Sequence, residues 1–220
     1  MKLLIKFPTR NRPEKFINSL NKYIDFLEDK STQIVVSCDV DDLTMQTQHV
    51  RNQMAEHENV EVVYSNNKSK IEAVNSNLDL YDFDILLLAS DDMIPETKGF
   101  DQIIIEKMKI HYPDTDGVLW FNDGYQGDKL NTLCILGKKY FDRFNYIYNP
   151  NYLSVWCDNE FMEVANILKK QTYFNEVIIR HEHPDWGFGN QDEIHMLNSK
   201  NEVHDRLLFY KRKEVNFELS

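Results

Sequence analysis

The stretch "DILLLASDDMIP", Asp84 to Pro95, decides the fold. Its apolar run, Ile85 to Ala89, is unbroken and stops abruptly at Ser90-Asp91-Asp92. A short continuous apolar run closed by turn residues reads as a strand buried on both faces. Two adjacent carboxylates at its end repel one another, and desolvating either is costly unless something cationic lies beside it. The stretch therefore predicts a central strand of a parallel sheet with a charged site at its carboxyl end.

The chain on either side of it alternates. "LLIKF" (Leu3 to Phe7) reads as a buried strand ended by Pro8, and Pro13 opens a helix whose apolar residues Phe16, Ile17, Leu20, Tyr23, Ile24 and Leu27 share one face. "QIVVSC" (Gln33 to Cys38) is a second strand, a weaker helical pattern runs from Leu43 to Ala55, and "VEVVY" (Val60 to Tyr64) is a third strand. Ile71, Val74 and Leu78 suggest a short helix before the fourth strand. Apolar strands separated by helices predict an α/β, doubly wound, mostly parallel sheet covered on both faces, and such sheets bind ligands beyond the carboxyl ends of their strands. Further on, strands are expected at Gly117 to Phe121 and Asn131 to Gly137, with helices at Lys138 to Phe144 and from Asn159 to about Leu168. "YFNEVIIRHEHPDWGFG" reads as one strand running into a loop, and the residues from Asn201 as a charged, partly helical tail.

Composition narrows the function. The 220 residues carry a formal charge of -11, which disfavours unaided tight binding to duplex DNA. Three cysteines, Cys38, Cys134 and Cys157, form no paired spacing and fit a reducing, cytoplasmic compartment. No apolar run has the length of a membrane span, and no signal peptide is visible. Only 7 glycines occur, and no Gly-x-Gly-x-x-Gly or Walker loop, so a dinucleotide-binding dehydrogenase or P-loop NTPase is poorly supported. Strand ends that lack a glycine cradle but carry several carboxylates suggest a metal ion neutralising a diphosphate.

The order of "KFPTRNRPEKF", "VVSCDVDD", "LLLASDDMIP", "WCDNEF" and "HEHP" resembles a GT-A-fold glycosyltransferase of the family 2 type, over roughly Lys2 to Asp192. The resemblance implies a single domain over 1–220. Its nucleotide-sugar-binding half would span 1–95, its acceptor and catalytic half 96–200, and a C-terminal tail 201–220. It implies a donor-nucleotide set of Pro8, Thr9, Arg12, Asp39, Lys70 and Asp91. The divalent ion, Mn²⁺ or Mg²⁺, would be held by Asp92 with His181 or His183. Asp158 would be the catalytic base, with Glu160 as its rival, and Trp156 and Trp186 would flank the acceptor.

The activity implied by the resemblance is metal-dependent transfer, inverting, of a hexosyl or pentosyl group from a nucleotide-diphosphate sugar to an acceptor hydroxyl. A UDP-sugar is favoured because a carboxylate at Asp39 can accept the imide N–H of uracil. The acceptor would be a glycan or a hydroxylated nucleic-acid base, the latter needing a basic strip from Lys138, Lys139, Arg143 and Lys211 to Lys213. The residues also admit blander roles. Asp39, Asp41 and Asp42 suit turns and the N-cap of the next helix, and Asp158 suits an N-cap whose helix dipole keeps it ionised. A nucleotidyltransferase and a nucleotide-sugar-binding module without turnover are the alternative functions.

Overall fold

The structure is a computed structural model that describes residues 1–182 and 193–219. In chain order its elements are β1 (Leu3–Thr9), α1 (Pro13–Phe26), β2 (Gln33–Asp39), α2 (Gln48–Ala55), β3 (Val60–Ser65), α3 (Lys70–Asn75), β4 (Ile85–Leu88) and β5 (Met93–Pro95). The second half contains α4 (Phe100–His111), β6 (Val118–Phe121), β7 (Ile135–Gly137), α5 (Lys138–Asp142), α6 (Cys157–Ile167), β8 (Gln171–Phe174), β9 (Ile179–His181) and α7 (Glu193–Glu214).

Seven strands form one sheet in the order β3-β2-β1-β4-β7-β6-β8. Pairing is parallel from β3 to β4 and between β6 and β8, and β7 alone runs antiparallel to its two neighbours. The expected doubly wound, mostly parallel α/β sheet is therefore the one present. Alternation across the pleat explains its two cores. Ile5, Phe7, Ile34, Val36, Ile85 and Leu87 point to the face covered by α1, α2 and α4. Leu4, Val35, Leu86 and Leu88 point to the face that carries the apolar residues of α3, α5, α6 and α7. All three cysteines are buried and unbridged.

Lys6 keeps the alternation but interrupts the apolar pattern. It lies on the second face, fully buried, and donates from Nζ to Ser37 Oγ at 2.5 Å and to the Ser76 carbonyl at 2.6 Å. Burial pushes its pKa down to about 8. With neutral acceptors and, among the described residues, no ion-paired carboxylate, its charge is only solvated, not cancelled.

Several expected boundaries move. Pro8 does not end β1, which continues to Thr9; the ladder to β4 has already stopped at Lys6, so the missing N–H costs no bond on that side. α2 starts at Gln48 rather than Leu43. Asp42 folds the intervening chain into a turn by accepting from Thr44 N at 3.0 Å and Thr44 Oγ1 at 2.6 Å, and Thr47, not an aspartate, caps the helix. The segment expected as one strand after Tyr173 is two strands in different sheets, β8 beside β6 and β9 beside β5.

Candidate active site

The carboxyl ends of β1, β2 and β4 converge on one polar surface. Asp39, the last residue of β2, is clamped on both oxygens: Arg10 Nη1 donates to Oδ2 at 2.6 Å and Asn67 Nδ2 to Oδ1 at 2.7 Å. Arg10 also holds Asp41 with two bonds of 2.7 and 2.9 Å. Asp42 is buried and accepts from the backbone N–H of Asn11 at 2.6 Å, which fixes the loop after β1. Thr9 ends β1 at this surface, and among the described residues its buried Oγ1 has no hydrogen-bond partner.

The two carboxylates after β4 have different surroundings. Asp91 Oδ1 lies 3.0 Å from Arg12 Nη1 and 3.5 Å from Lys15 Nζ. Burial raises the Asp91 pKa, with Arg12 and Lys15 pulling against it and Asp92 adding to it. Asp92 is equally buried, yet its carboxyl is held well below the usual range: the facing His181, the hydroxyl of Ser90 and the charge of Lys70 outweigh the burial penalty. Lys70 opens α3 and is itself exposed.

His181 reaches Asp92 through the small sheet. β5 and β9 pair antiparallel with Met93 opposite His181, and Glu182 N–H donates to the Asp92 carbonyl at 2.7 Å. This places His181 Nε2 3.7 Å from Asp92 Oδ1. On its other side Nδ1 stands 4.0 Å from Asp123 Oδ2, and the His181 N–H donates to the Asp123 carbonyl at 2.9 Å. Asp123 is fixed by the N–H groups of Tyr125 and Gln126 and by the Thr132 hydroxyl.

Asp158 and Glu160 stand in the first turn of α6, two residues and so roughly 200° apart around the helix. The N-cap position belongs to Trp156, in the left-handed region at φ 61°, so Asp158 is not the cap. Burial raises the Asp158 pKa and outweighs the N–H of Asn159 and the nearby charges of Lys70 and His181. The expected lowering by the helix terminus is thus overridden by desolvation. Among the described residues no Lys or Arg forms an ion pair with Asp158. Glu160 is fully committed on the other face, accepting from Tyr152 Oη at 2.8 Å and from Arg212 Nε at 2.8 and 3.1 Å.

Trp156 leans on Phe209 and Tyr210 of α7, with ring centres 5.3 and 5.8 Å apart. His183 and Trp186 lie outside the described residues. The expected basic strip is largely neutralised: Lys138 pairs with Asp142, Lys139 with Asp114, Arg143 with Asp116, Arg212 with Glu160 and Lys213 with Glu163. Lys15, Asn67 and Asp123 were not among the expected site residues, and Arg10, at the polar end of the first strand, was given no role. Arg10 and Lys15 had a signal, since both sit inside "KFPTRNRPEKF".

As for an ion, among the described residues no three His, Cys, Asp or Glu side chains gather as a site. The fit is instead to a two-residue share, one hard carboxylate and one imidazole. That suits a cation whose other positions are filled by diphosphate oxygens and water.

No family model and no curated protein matches the sequence. Solved structures do match. The mannosyltransferase PcManGT of Pyrobaculum calidifontis, in complex with GDP-Man and Mn²⁺, superposes with a TM-score of 0.67 at 13% identity, over 85% of this chain and 58% of that one. The fold is that of the GT-A glycosyltransferases. S. aureus TarS 1-349 shares it in complex with UDP (TM-score 0.63, 16% identity, 82% of this chain and 60% of that one). So does the same protein in complex with UDP-GlcNAc (0.60, 17%, 82% and 58%). This chain thus spans under two thirds of the length of the GT-A structures it matches. Among its described residues no helix is long and apolar enough to cross a membrane.

Proposed function

We propose that the chain is a glycosyltransferase that moves a sugar from a nucleoside-diphosphate sugar to an acceptor hydroxyl with inversion at the anomeric carbon. The observation that carries this reading is the meeting of Asp92 and His181, 3.7 Å apart beyond the carboxyl end of β4, brought together from distant parts of the chain by the pairing of β5 with β9. Residues 1–95 supply the donor side and 96–200 most of the acceptor side. Thr9, Arg12 and Asp91 border the donor pocket beside Pro8, and Asp39, held still by Arg10 and Asn67, keeps lone pairs free to accept the imide N–H of uracil.

Asp92 and His181 are the residues that would hold Mn²⁺ or Mg²⁺, His181 being preferred over His183. When bound, such an ion stabilises the charge that grows on the departing diphosphate. Lys70 adds a second positive charge at the same place. Asp158 has the position and the basicity of a general base. As the acceptor oxygen bonds to the anomeric carbon, its proton passes to the Asp158 carboxylate, and the bond from that carbon to the diphosphate oxygen breaks. A carboxyl whose pKa is raised by burial is a stronger base than an exposed one and is better matched to a neutral working pH. Trp156 offers an aromatic face to the acceptor. Glu160, bound to Arg212 on the opposite side of α6, braces the helix.

A thermal-shift panel of uridine, cytidine and guanosine diphosphates, with and without Mn²⁺, tests the reading, because a ligand of the native state raises its stability by mass action. The largest rise is expected for uridine diphosphate with Mn²⁺, and Asp92→Ala should remove the dependence on the ion. Equal metal dependence in that variant would remove Asp92 from the ligand set. Nucleotide binding with no product by mass spectrometry across donors and acceptors would point to a binding module.

A further inference from the structure

The C-terminal helix α7 carries a buried carboxylate that the proposed reaction does not use directly. Asp205 is fully buried, and its oxygens gather three successive backbone N–H groups. Leu153 donates to Oδ1 at 3.0 Å, and Ser154 and Val155 each donate to Oδ2 at 2.9 Å. His204 Nδ1 lies 2.9 Å from Oδ1. Three amides turned toward one anion form a concave nest, and a carboxylate is the acceptor that can satisfy all three at once. The next residue is Trp156, in its left-handed conformation, and α6 starts immediately after it with Asp158 in the first turn. Trp156 packs on Phe209, one helical turn beyond Asp205 on α7.

We infer that Asp205 is a positioning residue: it fixes the loop 153–156 and so aims the first turn of α6, with Asp158, at the site. The inference rests on the reading of Asp158 as the base. A non-Gly residue held at positive φ needs its surroundings to determine it, because the left-handed region is unfavourable for a bulky side chain. The amide nest on one side of Trp156 and the hydrogen-bonded first turn of α6 on the other supply that determination. Asn at 205 would keep the shape but replace one acceptor oxygen by a donor group, setting N–H against N–H.

The fold contains a matched control. Asp101 on α4 is also fully buried and accepts from the N–H groups of Glu28 and Asp29, at 2.9 Å each. That loop precedes β2 and lies at the amino ends of the strands, away from the site.

The experiment combines Asp205→Asn, Asp158→Asn and their double variant, with Asp101→Asn alongside, reading kcat, donor KM and amide hydrogen exchange. Asp205→Asn should accelerate exchange at Leu153, Ser154 and Val155 and leave the amides of the parallel strands protected. It should lower kcat about tenfold with donor KM unchanged, since a displaced catalytic group loses transition-state stabilisation without weakening donor binding. In the Asp158→Asn background the same change should cost almost nothing further, because its effect passes through Asp158. Asp101→Asn should lower thermal stability without changing kcat of the folded enzyme. If Asp205→Asn does not fold, Asp205→Glu keeps the charge and shifts it by one methylene, and should show the same pattern at smaller amplitude.

Equal kcat losses in both backgrounds would overturn the inference, as would unchanged exchange at the three amides. If Asp158→Asn costs nothing in the otherwise unaltered chain, the base reading fails and takes the catalytic part of this inference with it. Exchange at Leu153, Ser154 and Val155 then decides separately whether Asp205 holds the loop.

Discussion

The carboxylates at the strand ends and those at the start of α6 are built to different plans. At the strand ends the acids are held by partners: Arg10 for Asp39 and Asp41, backbone N–H groups for Asp42, Arg12 and Lys15 for Asp91, and the facing imidazole of His181 for Asp92. In the first turn of α6 the two acids divide. Glu160 takes an arginine and a tyrosine, and Asp158, half-buried, has no ion-paired Lys or Arg among the described residues. An acid held by fixed partners is kept in place, which suits binding. Burial raises the basicity of both Asp91 and Asp158, but Asp91 is held by two cations, whereas Asp158 is left open to proton transfer. The difference separates a donor surface made of locked charges from one chemically available carboxylate.

The largest effect is expected from unlocking the second region. Arg212→Met leaves the Glu160 carboxylate buried and unpaired, and breaking a buried pair from one side costs about 3–5 kcal/mol. Urea unfolding should show that loss. A loss under about 1 kcal/mol would mean that Glu160 relaxes to water and that the contrast with Asp158 is weaker than the geometry indicates.

Next comes Lys6, the buried cation with no ion-paired acid among the described residues. Its folded pKa of about 8 lies below its ordinary 10.5, so between these values the unfolded chain binds more protons than the native one. Stability of the parent, measured against Lys6→Met to cancel other groups, should therefore rise as pH increases from about 8 to 10.5, by about 3 kcal/mol. Below pH 8 both states are protonated and the difference should be flat. A flat difference across the whole range would show that the amine is solvated in the folded state.

The smallest effect is expected on the donor side. Arg10→Gln frees Asp39 from its clamp while Asn67 still holds the other oxygen. Uridine diphosphate affinity should fall about tenfold, or about 1.4 kcal/mol. Calorimetry showing unchanged affinity would remove Asp39 from the base-recognition role.

Much of the donor half was legible because its signals are local. The apolar runs of β1, β2 and β4 and the helical face of α1 lie within single segments, and their strand ends mark the site by topology alone. The second half was less legible for a physical reason. β5 and β9 are three residues each, too short to show a period, and they exist because tertiary contacts set Met93 opposite His181. Glu160 looked equivalent to Asp158 because its partner Arg212 is 52 residues away in a stretch that reads as a charged tail. Asp205, in the same stretch, offered no pattern that links it to Leu153. The basicity of Asp158 was misjudged because a helix terminus is visible in sequence and desolvation is not.

Turnover of Asp158→Asn beside Glu160→Gln tests the division of labour in α6 most directly. Both changes remove one charge and keep the shape of the side chain. With uridine diphosphate binding intact in both, Asp158→Asn should lower kcat by roughly 10²-fold or more, the usual contribution of a positioned general base. Glu160→Gln should lose stability while keeping kcat within a few-fold of the parent in the folded fraction. The opposite result, near-parental turnover for Asp158→Asn and a large loss for Glu160→Gln, would contradict the assignment and move the base to the other face of the helix.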